Sequence, residues 1–201
     1  MSDAYSRRLD DAIQWVTEAF RPVVRKGGRV PYITHLFGVM SICGEYGGDE
    51  DQLIAALLHD MVEDIPTVGL ADIESRFGTR VARIVDDCTD AYEQPKPPWR
   101  ERKEAHLAKV RGVANDSRLV ICSDKLHNCR TLNEDLRHKG LSTLERFKGK
   151  RSGTLWYFRS MVEALRIGWD HRLLKALDRE VTELERLAGK LTTPPGTPID
   201  R

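Results

Sequence analysis

Between one glycine- or proline-bearing break and the next, apolar residues recur at three- and four-residue spacing along almost the whole chain. That periodicity leaves little but helix to build with. Residues 3–20 carry Leu9, Ile13, Trp15, Val16 and Phe20 at this spacing. The next stripe, 32–46, holds Leu36, Val39, Met40, Cys43 and Tyr46, with Pro31 suited to its first turn. GGDED interrupts it, and Asp49 is placed to cap a third helix over 50–63. Pro66 forces Ile65 out of helical geometry and stops that helix near Asp64. Further helices are expected over 70–77, 79–91, 98–113, 117–136, 141–148, 153–167 and 170–190. Strand signals are nearly absent, and VVRKGGRV, with its short basic arms, reads as a loop. The expectation is an all-α fold of about eight to ten helices forming one domain, 1–191, followed by a flexible proline-rich tail, 192–201. The last helix, with Leu173, Leu174, Leu177, Val181, Leu184 and Leu187, is placed either to close the core or to pair with another copy.

Composition narrows the function by exclusion. With 32 basic against 31 acidic side chains the formal charge is +1, which gives no support to a nucleic-acid surface. No apolar run reaches membrane-spanning length, and the start, MSDAYSRRLDDAI, is too polar for a signal peptide. The four cysteines form no CxxC pair, and Cys122 and Cys129, seven apart, share a helix face as small core residues. A cytoplasmic protein without nucleic-acid or membrane partners is expected.

One stretch breaks the packing logic. LLHDMVED ends an apolar run with His59, Asp60, Glu63 and Asp64, and burying such charges unpaired costs far more than a leucine gains. Elsewhere His35 sits early on the second helix, and Asp124 lies well inside a strong one, ICSDKLHNCRTL. At about 100° per residue, Asn128 and Thr131 share the face of Asp124, while Leu119, Cys122, Leu126, Cys129 and Leu136 fall broadly opposite. The apolar neighbours Val120 and Ile121 put that polar strip under cover. Two readings stand at this point. These groups are solvated surface charge around a satisfied core histidine, or they are a metal centre of two imidazoles and two carboxylates. Such a donor set, without thiolate, suits Mn²⁺, Fe²⁺ or Zn²⁺, with Glu63 and Asp64 one turn along to steer a water or protonate a leaving oxygen.

The same residues form an ordered pattern. PYITH, then AALLHDMVED, then SDKLHNCRTL resembles the hydrolase domain of the RelA/SpoT-type alarmone enzymes, within the HD phosphohydrolase superfamily; the RKGG loop and FGTRVARIVDDCTD are similar to that group as well. The resemblance runs from about residue 5 to about residue 170. It implies an HD fold in which His35, His59, Asp60 and Asp124 hold one divalent ion, typically Mn²⁺, and Glu63 and Asp64 serve hydrolysis. It also implies Arg25, Lys26 and Asn128 at the nucleotide, and Tyr157, in LWYFR, near the substrate. The implied reaction removes the 3′-pyrophosphate of guanosine tetra- or pentaphosphate to give GDP or GTP. A bound anion needs cationic partners, and Arg102 and Lys103 line the same pocket or else are exposed helix charge. Trp156 and Trp169 read as core.

The linker from Arg25 to His35 is one residue longer than in the long bifunctional enzymes, and no synthetase segment follows, so a stand-alone small alarmone hydrolase is expected. Two competitors remain: an HD phosphohydrolase for another nucleotide, such as an adenosine alarmone or a nucleoside monophosphate, and a non-catalytic nucleotide-binding partner protein.

Overall fold

In the computed structural model the described residues are 4–92 and 95–190. They form eleven helices: α1 Arg7–Ala19, α2 Ile33–Glu45, α3 Glu50–Leu58, α4 Met61–Asp64, α5 Leu70–Phe77, α6 Thr79–Cys88, α7 Trp99–Val110, α8 Asn115–Lys139, α9 Ser142–Glu145, α10 Lys150–Arg166 and α11 Arg172–Lys190. The proline-rich tail expected over 192–201 lies outside the described residues.

The expected all-α class holds, Asp49 and Pro66 act as anticipated, and the first helix, expected from residue 3, starts later, at a serine cap. Ser6 caps α1 through the Arg8 N–H. Asp49 and Gln52 form a reciprocal capping box at the start of α3. Ile65, ahead of Pro66, is extended and ends α4. The loop at VVRKGGRV is pinned by an antiparallel bridge between Val24 and Pro31. Hydrogen bonds from Arg25 N to Val30 O at 2.9 Å and from Tyr32 N to Val23 O at 2.9 Å flank that bridge.

The helix expected over 50–63 is two helices. It breaks at His59–Asp60, where Asp60 adopts φ −99° and ψ 0°. His59 Nδ1 bonds to the Ala56 carbonyl at 2.9 Å, engaging a group that a continued helix would offer to the Asp60 N–H. The interruption falls on the two residues whose chemistry matters most.

The 25-residue α8 is the axis of the molecule, packed by α2, α3, α6 and α11. Its Leu119, Val120, Ile121, Cys122, Leu126, Cys129 and Leu136 are all buried. The last helix closes the core: Leu173, Leu174, Leu177, Val181 and Leu184 are buried, and α11 lies along α8 and α10. Trp169 is buried as expected. Trp156 is half-buried, with the Arg100 guanidinium 3.3 Å above its ring. Burying each large apolar side chain is worth about 1.5–3 kcal/mol, and this core holds α2, α3 and α8 in mutual contact. The polar site lies where those three helices meet. No helix among the described residues is long and apolar enough to cross a membrane.

Candidate metal centre

Each of the three helices brings one buried polar side chain to the junction. His35 comes from the first turns of α2, His59 from the end of α3, and Asp124 from the middle of α8; they are 1%, 3% and 6% exposed. One donor atom from each lies within 4.8 Å of the other two. The half-buried Asp60 joins them from the break between α3 and α4. His35 Nε2 lies 3.2 Å from Asp124 Oδ1 and 3.6 Å from Asp60 Oδ2. His59 Nε2 lies 3.0 Å from Asp60 Oδ2 and 3.6 Å from Asp124 Oδ1.

These close approaches are not hydrogen bonds, since neither Nε2 has a hydrogen-bond partner. The Ala56 carbonyl accepts only, so the neutral His59 ring carries its proton on Nδ1 and turns a lone pair toward the carboxylates. Lone pairs facing carboxylate oxygens in a buried space are stable only with positive charge between them, supplied by a proton or by a cation. The electrostatics agree. Burial opposes charge on His59, yet Asp60 and Asp124 outweigh it and hold the imidazole well above its usual basicity. Burial likewise opposes charge on Asp60, but His59 and the nearby His35 hold it well below the usual carboxylate range. Asp124 is also held low against burial, first by the Lys125 ammonium and then by both imidazoles. Two nitrogens and two oxygens in this array fit a divalent cation by donor type.

A surrounding layer of side chains contacts these groups. Tyr32 Oη donates to Asp60 Oδ2 at 2.6 Å. Lys125 Nζ donates to Asp124 Oδ2 at 2.6 Å, and Asn128 Nδ2 to Asp124 Oδ1 at 2.5 Å. Arg25 Nη2 reaches Asn128 Oδ1 at 2.7 Å, and its guanidinium lies 5.4 Å from the centre of the Tyr32 ring. His127 Nδ1 meets His35 Nδ1 at 2.9 Å.

The remaining expected residues divide. Glu63, on α4, is paired with Lys96 Nζ at 2.6 Å, with Arg102 Nη1 at 3.7 Å. Partial desolvation, then the charges of Asp60 and Glu63, push Asp64 up to about 6, although its side chain remains open to solvent. Tyr157, on α10, is 8% exposed, with an unpartnered buried hydroxyl. Its ring lies 4.7 Å from Lys103 Nζ and 5.8 Å from Lys125 Nζ, the same Lys125 that holds Asp124. Arg102 and Lys103 are not exposed helix charge: both bond to Asp90, and their side chains are only 10% and 16% exposed. Lys26 is exposed and enters none of these contacts. Thr131 is also exposed and bonds back to the His127 carbonyl at 3.0 Å, so the polar strip of α8 contributes Asp124 and Asn128 alone to the site.

Tyr32, Lys125 and His127 went unread in the sequence. Tyr32 precedes His35 by three residues and His127 follows Asp124 by three, a spacing that puts each on the same helix flank as its partner. That three-residue offset was the available signal.

The HD-domain family pattern matches residues 12–148. The guanosine-3′,5′-bis(diphosphate) 3′-pyrophosphohydrolase of Danio rerio is 41% identical over 105 residues, 51% of this chain and 56% of that protein. The bifunctional (p)ppGpp synthase/hydrolase SpoT of Escherichia coli is 35% identical over 132 residues, 63% of this chain and 18% of that protein. The chain therefore spans little more than half of the first relative and a small part of the second. Among solved structures, a metazoan orthologue of SpoT that hydrolyses ppGpp superposes with a TM-score of 0.74 at 26% identity, over 90% of this chain and 98% of that one. With His59 and Asp60 side by side at the junction of α2, α3 and α8, and with these matches, the chain belongs to the HD-domain family.

Proposed function

We propose that the chain is a 3′-pyrophosphohydrolase of guanosine tetra- and pentaphosphate, releasing pyrophosphate and GDP or GTP, with Mn²⁺ held by His35, His59, Asp60 and Asp124. The observation that carries this reading is the convergence of two partnerless imidazole nitrogens on two carboxylates, with the acidic turn of α4 and cationic side chains nearby. The activity itself is carried over from relatives that match part of their length to this chain.

A divalent ion in such a site supplies charge neutralisation and a more acidic water. The chain's own residues do the rest. Glu63 and Asp64, projecting from the short α4, orient the attacking water and exchange its proton with the leaving oxygen. A carboxyl with Asp64's raised affinity for protons suits that role. Arg25, anchored by Asn128, offers a planar fork to a phosphate or a face to the base. Lys26, from the same loop, adds a point charge. Lys96 and Arg102, now paired with Glu63, exchange that carboxylate for a phosphate oxygen when the anion enters. Tyr157 stands beside Lys103 and Lys125 with its hydroxyl buried and unpartnered, a donor the substrate engages on entering. The cytoplasm is the proposed compartment.

The test is product analysis by ion-exchange chromatography after incubating the purified chain with ppGpp and Mn²⁺, beside a chelated control. GDP and pyrophosphate, both lost on chelation, are expected. No turnover in a sample shown to hold metal would overturn the guanosine assignment and direct the same assay to the adenosine alarmone and then to nucleoside monophosphates.

A further inference from the structure

His127 lies against the centre with no assigned part in it. Its Nδ1 is 2.9 Å from Nδ1 of His35, and the two rings meet edge to face with centroids 4.8 Å apart. Ring nitrogens at that separation share one proton, because two N–H groups would collide and two lone pairs would repel. The other nitrogen of His35, Nε2, is the atom that faces Asp124 and Asp60 without a hydrogen-bond partner. For Nε2 to present a lone pair to a cation, the neutral His35 ring must carry its proton on Nδ1 and donate it. The acceptor in place is His127 Nδ1. His59 meets the same requirement through a backbone carbonyl, that of Ala56; His35 has a side chain in that place.

The position opposite is matched to this ring. Gly38, three residues after His35 on α2, is the point where a Cβ would lie 2.3 Å from both Cδ2 and Nε2 of His127. Glycine destabilises a helix interior relative to alanine, and at this position its missing side chain is the space the imidazole occupies.

We infer that His127, seated in the gap left by Gly38, is a positioning residue that sets the tautomer and ring plane of His35 so that Nε2 faces a divalent cation. The inference rests on reading His35, His59 and Asp124 as a cation centre, and its test separates the two. Mn²⁺ is titrated into the purified chain with free ion followed by electron paramagnetic resonance, and Co²⁺-loaded samples are compared by visible absorption. His127→Leu is expected to weaken Mn²⁺ binding about 10–100-fold and to shift the Co²⁺ spectrum, while the melting temperature of the metal-free chain stays close to that of the parent. His127→Asn places an amide oxygen where Nδ1 stood and restores most of the affinity. Gly38→Ala weakens binding in the parent, by displacing the ring, but not in a His127→Ala background, where the added methyl has room.

Equal affinity and spectra for the parent and His127→Leu would overturn the inference and leave the centre standing. Equal losses in His127→Leu and His127→Asn would overturn the acceptor role, and additive effects of Gly38→Ala and His127→Ala would overturn the part given to Gly38. A parent chain that binds neither ion would overturn the centre and this inference together.

Discussion

Two clusters of aspartates lie at opposite ends of α3, and they are built on opposite principles. At its start Asp49, Asp51 and Asp116 all meet Arg80, at 2.8, 3.2 and 3.2 Å, while Asp116 also meets Arg83 at 2.5 Å and Asp51 meets Arg8 at 2.8 Å. Every carboxylate there has a guanidinium, and the cluster ties α1, α3, α6 and α8 into one frame. At its far end Asp60 and Asp124 face two imidazoles whose Nε2 atoms lack hydrogen-bond partners. Arg25 approaches that end but bonds to Asn128. In the second, Lys125 and Asn128 meet Asp124 and Tyr32 meets Asp60, yet both imidazole Nε2 atoms stay unpartnered. Both clusters bring together aspartates from different elements, so acidic residues alone do not separate them. The partners do.

The sharpest way to break this contrast is to remove one carboxylate from the open cluster. Asp60→Ala and Asp124→Asn should each lose Mn²⁺ and drop turnover to background with the helical circular dichroism intact; the asparagine keeps the shape beside Lys125. Full activity in either variant after chelation and Mn²⁺ repletion would remove that residue from the ligand set. Next in size is Glu63→Gln, which should keep its metal and lose about 10²–10⁴-fold in turnover. An unchanged rate would take Glu63 out of the chemistry.

A smaller effect reads the centre without any substrate. Binding an ion at about 100 times its Kd stabilises the folded state by about 2.7 kcal/mol, roughly 5–10 °C in Tm for a domain of this size. Calorimetry with Mn²⁺ and with chelator should show that gap in the parent chain and none in Asp124→Asn. The same gap in both would place the ion elsewhere. The closed cluster should behave the other way. Arg80→Ala, at a side chain 40% exposed, should cost about 1 kcal/mol, less at high salt, and leave Mn²⁺ affinity unchanged. A change in affinity would mean that the two ends are coupled through α3. The smallest effect belongs to Lys26→Ala, whose exposed side chain should alter KM a few-fold with stability within about 0.5 kcal/mol. A fall in kcat instead would give Lys26 a part in the chemical step.

Much of this was legible in the chain itself. The all-α class followed from the 3.6-residue period, and the limits of α3 and α4 from Asp49 and Pro66, because caps and proline act locally. His59 and Asp60 stood out because an imidazole and a carboxylate at the end of an apolar run have no place in a plain core; their spacing left solvated charge and a metal centre both open, and the family resemblance was what implied the set with His35 and Asp124. The break at His59–Asp60 was not legible, since a side chain bonding to its own helix carbonyl leaves no periodic trace. Nor were Arg102 and Lys103, which read equally well as solvated charge until Asp90 was found beneath them.

What the sequence determined by itself was therefore local and chemical: which segments coil, where they stop, and which side chains are too costly to bury unpaired. Partnership was decided only by the tertiary structure. His127 faces His35 across 92 positions of sequence and Arg25 reaches Asn128 across 103. The physical reason is that a hydrogen bond or an ion pair is set by distance in space, and the packing of α2 and α3 on α8 created distances that no spacing along the chain contains.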